Sequence, residues 1–515
     1  MAGRAQPVSA WPGIGAAALV AALILCTLAA VAWRAETTGG FVPSDWAALR
    51  FTLTQAVLSV VFSAALAVPV ARALARRRFR GRSALIALLG APFILPVIVA
   101  ILGLLQVFGR AGWISDILGL FGLPPIRIYG LHGVVLAHVF FNLPLATRLI
   151  LQGWQEIPAE RFRLAAQLGS NCWAIFRLIE WPMLRRILPG VLAVIFAICL
   201  TSFAVALTLG GGPRATTIEL AIYQAFTYDF DLGRAALLSA LQLALTAAAA
   251  FAALRFSRED GFGSGLDRAI RRWDGGAPFL DALWIAAATV FLLLPLTSVV
   301  LSGLAGLFEL PVLVFRAALT SVMVAMASTV ILLALALPMA AAVAVGRSRI
   351  VEISGILGLA ASSLVIGTGL FILVRPMINP SALALPVTAL VNAVMALPFA
   401  LRILVPAARD VIAGQGRLAL SLGMSRRAFV LRVLLPRMRP QIGFAAGLAA
   451  ALSMGDLGVI ALFADTQIAT LPLQIYRLMG AYQMQAAAGG ALLLLILSMG
   501  AFWLLDRGGR LHAEA

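Results

Sequence analysis

Two stretches of this sequence place arginine, small residues, glycine and proline at repeated spacings that suit recognition of a partner surface. Residues 143–186 align with residues 397–440 without a gap at an offset of 254. Pro144 falls on Pro398, Arg148 on Arg402, Arg163-Leu164-Ala165 on Arg417-Leu418-Ala419, Leu168-Gly169 on Leu422-Gly423 and Pro182 on Pro436. A period of this length signals an internal duplication. Arginine on the flanks of such a segment can pair with acidic groups of a partner, and the small side chains Ala165, Ala166 and Ala419 let that partner approach. Gly169 and Gly423 suit a helix C-cap or a tight turn. Each segment therefore reads as a short helix, a turn and a second amphipathic stretch ending at Pro182 or Pro436, over about 155–186 and 409–440. A solvated basic loop would explain the arginines but not a gap-free repeat of Leu, Ala, Gly and Pro.

Other residues could carry chemistry within an apolar surrounding. Asp456 is an acid inside a long apolar run, where an ionised carboxylate costs roughly 2.5–3.5 kcal/mol on insertion scales. It reads either as part of a translocation path or as a structural acid beside a helix break at Gly455 and Gly458. Its counterpart in the first copy is Ser202. The stretch 210–234 joins a glycine run, including Gly211 and Pro213, to Glu219, Tyr223, Tyr228, Asp229 and Asp231. Aromatic faces attract organic cations, so this stretch could meet a binding protein or accompany a cation; alternatively its tyrosines sit at headgroup depth. Gly443, Gly447, Ala451 and Gly455 recur every four residues, a ridge for close helix packing at a seam between halves. His132 and His138 have no third ligand in view and read as packing residues. Cys26, Cys172 and Cys199 lack metal-ligand spacing. The chain contains no lysine, which removes a P-loop. No nucleophile, base and orienting group converge, so the chain reads as a non-enzyme.

The elements that must hold these residues are membrane helices. Hydrophobic residues make up 62% of the 515, charged residues 12%, and the mean hydropathy is +1.01. An ordinary soluble globule has roughly 45–50% apolar residues. About twelve segments approach the 20 apolar residues a spanning helix needs: 14–33, 51–71, 83–109, 128–147, 187–209, 235–254, 282–302, 317–346, 353–374, 383–401, 441–464 and 486–505. They are too long, and alternate too little, for barrel strands. The first is longer than a signal-peptide core and reads as an uncleaved span. Arginine clusters follow the even-numbered spans, so the positive-inside rule places both termini and both repeated segments in the cytoplasm. The net charge of +18 is accounted for in this way, without nucleic acid. An even number of spans per copy makes the copies parallel repeats. The expected organisation is an all-α transmembrane protein with a first repeat over 1–255, a polar linker over 256–278 and a second repeat over 279–515.

Arg163 to Gly169, with Pro182 thirteen residues after the glycine, and Arg417 to Gly423, with Pro436 at the same distance, resemble the EAA loop of ABC-importer permeases. In that family the loop holds a coupling helix that sits in a cleft of a cytoplasmic ATPase subunit. Leu164 and Leu418 stand where the family usually has glutamate. Two such loops in one twelve-span chain resemble the fused permeases of ferric-iron and thiamine importers. The run Leu207 to Gln224, followed by Tyr228 to Ala236, is similar to permeases for thiamine and thiamine pyrophosphate. The resemblance implies a bacterial inner-membrane permease in lipid, partnered by an ATPase dimer and a periplasmic thiamine-binding protein. It also implies that ATP and magnesium sit on the ATPase and that this chain binds no cofactor. Asp456 would then have a cationic thiazolium to face. Ferric-iron import would be favoured by clustered carboxylates or tyrosines on the outward surface. An ion-gradient-driven transporter, which also uses parallel six-span halves, predicts several buried ionisable residues.

Overall fold

Backbone surrounded by hydrocarbon must satisfy its own hydrogen bonds, and long apolar runs do so as helices. The computed structural model describes residues 7–35, 40–90, 94–210, 212, 215–256, 278–346, 349–464 and 468–510. Residues 257–277 of the expected linker, with Gly211 and Pro213, lie outside the described residues. The first half runs α1 (Trp11–Ala35), α2 (Pro43–Arg76), α3 (Arg82–Leu88), α4 (Val97–Phe108), α5 (Trp113–Leu120), α6 (Leu131–Gln155), α7 (Ala159–Gln167), α8 (Cys172–Ile175), α9 (Trp181–Leu200), α10 (Phe203–Leu209), α11 (Ile218–Thr227) and α12 (Leu232–Phe256). The second runs α13 (Pro278–Gly306), α14 (Val312–Gly346), α15 (Arg349–Ala360), α16 (Ser363–Val374), α17 (Ala384–Ser421), α18 (Arg426–Phe429), α19 (Leu435–Arg437), α20 (Arg439–Met454), α21 (Gly458–Phe463), α22 (Leu471–Gly480) and α23 (Met484–Arg510). Among the described residues there are no strands, and eleven helices are long and apolar enough to cross a membrane. The chain is an all-α multi-pass membrane protein.

Four of the expected single spans are broken, at the same two places in each half. The third span divides into α3 and α4, or α15 and α16; the fifth divides into α9 and α10, or α20 and α21. Hydropathy does not reveal these breaks, because the residues on either side are equally apolar. Backbone without helical bonds is tolerated at such depth only when protein covers it or it lines a cavity. Polar caps hold the new ends: Ser362 accepts from the Val365 amide at 3.3 Å, and Asp456 Oδ1 accepts from the Gly458 amide at 3.2 Å. The stretch expected as a loop over 210–234 contains a helix, α11, with α22 as its counterpart. Each is fastened to the second span of its own half by one bond. The Ile218 amide donates to Thr52 Oγ1 at 2.9 Å, and the Leu471 amide donates to Ser321 Oγ at 2.7 Å.

The halves interlock through their first spans. Helix α1 lies against α14, α15 and α16, while α13 lies against α2 and α4. A Cβ on Gly369 of α16 would meet the Thr27 carbonyl of α1, and one on Gly103 of α4 would meet the Pro295 carbonyl of α13. Only glycine allows such an approach of two helix backbones. The small-residue ridge on α20 behaves differently from expectation. Gly443 and Gly447 face Leu505, Gly509 and Phe502 of α23 within the same half, and only Gly455 reaches the other half, at Pro96. The seam between halves is instead an apolar cluster drawn from α10, α11, α16, α21 and α22. At its centre Phe226 and Phe371 lie with centroids 4.3 Å apart, and Phe371 and Phe463 lie 5.4 Å apart.

Candidate functional site

The two repeated segments fold alike at their turns. In the first, the Gly169 amide donates to the Ala166 carbonyl at 3.1 Å and the Ser170 amide donates to the Ala165 carbonyl at 2.9 Å. In the second, the Gly423 amide donates to Leu420 at 3.1 Å and the Met424 amide donates to Ala419 at 2.9 Å. These are paired Schellman closures, and they require the left-handed backbone that glycine supplies: φ is 68° at Gly169 and 67° at Gly423. The turn leads in each case to a four-residue helix, then a π-helical turn over Phe176–Glu180 or Val430–Leu434. Pro182 and Pro436 follow these turns. The amides just before them, of Trp181 and Leu435, reach back five residues to Phe176 and Val430, which widens the helix where proline would otherwise collide with the preceding turn. Arg163 and Arg417 are exposed, as is Ala166, whereas Ala165 and Ala419 are buried against the chain's own core. The surface offered to a partner is led by leucines one turn apart: Leu164 and Leu168 are 56% and 74% exposed, Leu418 and Leu422 60% and 70%.

The central site lies where the broken spans meet. Ser202 Oγ is 2.7 Å from His138 Nε2, and His138 Nδ1 is 3.1 Å from Ser59 Oγ. In the second half, Asn392 occupies the position of His138 and donates to Ser453 Oγ at 3.0 Å. Asp456 stands at the Ser202 position; its Oδ2 is buried with no hydrogen-bond partner. Glu219 is 2% exposed. Gln242 Nε2 of α12 donates to its Oε1 at 3.5 Å, and the Phe203 amide at the start of α10 and Ser362 of the second half lie beside the carboxyl. Tyr223 is buried in the same cluster, edge-on to Phe203 at 5.3 Å and to Tyr228 at 6.0 Å. Among the described residues, no three His, Cys, Asp or Glu side chains converge to hold a metal.

No family model matches the chain. It is 40% identical over 536 residues to the thiamine transport system permease protein ThiP of Salmonella typhimurium, covering 100% of both chains. It is 40% identical to ThiP of Escherichia coli, over 98% of each chain, and 39% identical to ThiP of Brucella abortus, over 96% of this chain and 93% of that one. This chain belongs to the thiamine transport system permease family.

Within this permease the candidates from the stretch 210–234 part company. Glu219 and Tyr223 belong to the buried seam, so neither is available on the surface. Tyr228, Asp229 and Asp231 are exposed, but the two acids already serve the fold. Asp231 Oδ1 caps α12 by accepting from the Arg234 amide at 2.9 Å, and Asp229 Oδ2 is 3.2 Å from Arg234 Nη1. The same guanidinium pairs with buried Asp45 at 2.7 Å. Phe230 and Tyr482, which the sequence does not mark as candidate site residues, are 81% and 89% exposed and adopt positive φ. His138, a packing residue by sequence, makes two polar contacts. The register of the repeat, which sets His138 against Asn392, was the available signal that this position carries a polar contact between the fourth and fifth spans.

Proposed function

We propose that this chain is the inner-membrane permease of an ATP-driven ABC importer for thiamine and its phosphate esters. The observation that carries the reading is a pair of matched, leucine-tipped segments on a permease that aligns end to end with thiamine relatives. Each segment docks on one subunit of a separate ATPase dimer in the cytoplasm, where both chain termini also lie, and ATP with magnesium is bound there. A periplasmic binding protein delivers substrate to the opposite face, where Tyr228 is exposed. When the ATPase closes, its binding energy favours the state in which the seam between halves is open outward. A conformational equilibrium moves only by such a difference in affinity. Ser202, Tyr223 and Asp456 line the passage, where a carboxylate and an aromatic ring suit a thiazolium cation.

The test is reconstitution of the chain with its ATPase and binding protein in liposomes, followed by ATP-dependent uptake of labelled thiamine. Thiamine and its phosphates should compete and ferric iron should not. Uptake of iron in place of thiamine would move the substrate. Uptake that follows an ion gradient without ATP would overturn the importer reading.

A further inference from the structure

The two repeated segments are not attached to the membrane domain in the same way. In the second half, the helix that carries Arg417 to Leu420 is the tenth span itself, continuous in α17 from Ala384 to Ser421. In the first half, Pro158 separates α6 from α7; Ile412 occupies the matching position. A push on the second segment therefore travels along one continuous helix, which runs on through Pro398 and Pro406. The first segment lacks that connection.

A charge pair supplies another route. Glu180 closes the π-turn of the first segment and is fully buried; its Oε2 lies 2.7 Å from Nε of Arg72 on α2, and its Oε1 accepts from Trp154 Nε1 at 3.3 Å. One turn along α2, Arg76 and Arg77 lie 3.7 Å and 2.7 Å from the carboxylate oxygens of Asp281, in the first turn of α13. Helix α13 is the first span of the second half. The positions that match Arg72, Trp154 and Glu180 in the second half are Ala341, Ala408 and Leu434, all buried and apolar. Apolar packing is thus enough to hold such a segment in place. Burying a carboxylate is costly unless it is well paired, and a well-packed apolar set is often as stable.

We infer that Glu180 and Arg72 are positioning residues for energy coupling. They join the first segment, across its helix break, to α2 and through Asp281 to the second half. The inference rests on the importer reading for its transport readout. The decisive variant gives the first half the second half's own residues, Arg72→Ala with Glu180→Leu. It is expected to fold, melting below the parent only by the loss of the Trp154 Nε1 acceptor, because no charge is left unpaired at the site. In the reconstituted transporter, thiamine moved per ATP hydrolysed should fall about fivefold or more, within the usual range of coupling between sites. Leu434→Met, in the matching π-turn, should leave that ratio unchanged. Hydrogen exchange of the chain alone gives an independent arm. The double variant should speed exchange in residues 172–180 and also in the first turns of α13. A parental transport ratio, or faster exchange confined to residues 172–180, would overturn the relay. If the parent shows no ATP-dependent uptake, the importer reading falls and exchange alone decides the relay.

Discussion

Gly169 and Gly423 end their helices in the left-handed region, and a Cβ at either position would meet open space. A side chain there is opposed by backbone conformation, about 1–2 kcal/mol, which asparagine bears better than most residues. Gly169→Val and Gly423→Val should fray the Schellman turn, re-aim the neighbouring leucines and sharply lower ATP-dependent thiamine uptake. Gly169→Asn should keep most of it. Equal loss with Val and Asn would show that bulk at the docking surface, not the turn, is what matters. Asp456 separates two roles in the same manner. Asp456→Asn keeps an oxygen for the Gly458 amide while removing the charge, so the protein should melt near the parent and lose severalfold in uptake. Asp456→Ala should lose about 1 kcal/mol of stability as well, the usual value of a helix cap. Unchanged uptake in the Asn variant would assign Asp456 to the cap alone. Of the two acids of the seam, Asp456 is legible in the sequence as a rare charge in an apolar run, whereas Glu219 reads there as one acid of an outward stretch. The surroundings of Glu219 are not legible there, because it comes beside Ser362 only when α11 and α16 meet across the halves.

At the scale of elements, periodicity and hydropathy located the apolar runs and the repeated segments but not the breaks. Ser202 and Ser362 are unremarkable in a membrane helix, where a hydroxyl can bond back to the preceding turn. They become helix boundaries because neighbouring groups satisfy the freed backbone, as Gln55 does for the Cys199 carbonyl and Gln242 for the Leu200 carbonyl. Proline is a sign only in its place: Pro158 marks the break after α6, whereas α17 runs on through Pro398 and Pro406 with Ile412 at the matching position. Placing proline at that position should undo the difference. Ile412→Pro would remove a helical hydrogen bond and crowd the preceding turn, at about 3 kcal/mol. The variant should melt lower and should lose coupling, because the second half has no charge pair at Leu434 to take over from the helix. Parental uptake per ATP would mean that continuity of α17 does not carry the signal.

For the whole molecule, the exchange of first spans between halves lay beyond reach of the sequence, since hydropathy identifies a span but packing chooses its neighbours. The contacts of Gly103 with α13 and Gly369 with α1 require the helices to be in place before the need for glycine can be seen. This interlock keeps the halves together at their flanks, so in the proposed cycle opening is expected at the seam, where Phe226, Phe371 and Phe463 meet edge-to-face. Truncating a fully buried phenylalanine costs about 3–5 kcal/mol, and Phe371 is only partly buried. Phe371→Ala should therefore weaken the closed seam by about 2 kcal/mol, enough to raise the open population on the order of tenfold or more. The overall fold should survive, because α16 meets α1 at Gly369 and α1 also lies against α14 and α15. The measurement uses a chain with Cys26, Cys172 and Cys199 replaced, Ser202→Cys added and a membrane-impermeant thiol reagent applied from the face opposite the coupling segments. Serine suits position 199, since Ser453 fills the matching site. Labelling should accelerate in the Phe371→Ala background without ATP; an unchanged rate would place the closure elsewhere than in the aromatic seam.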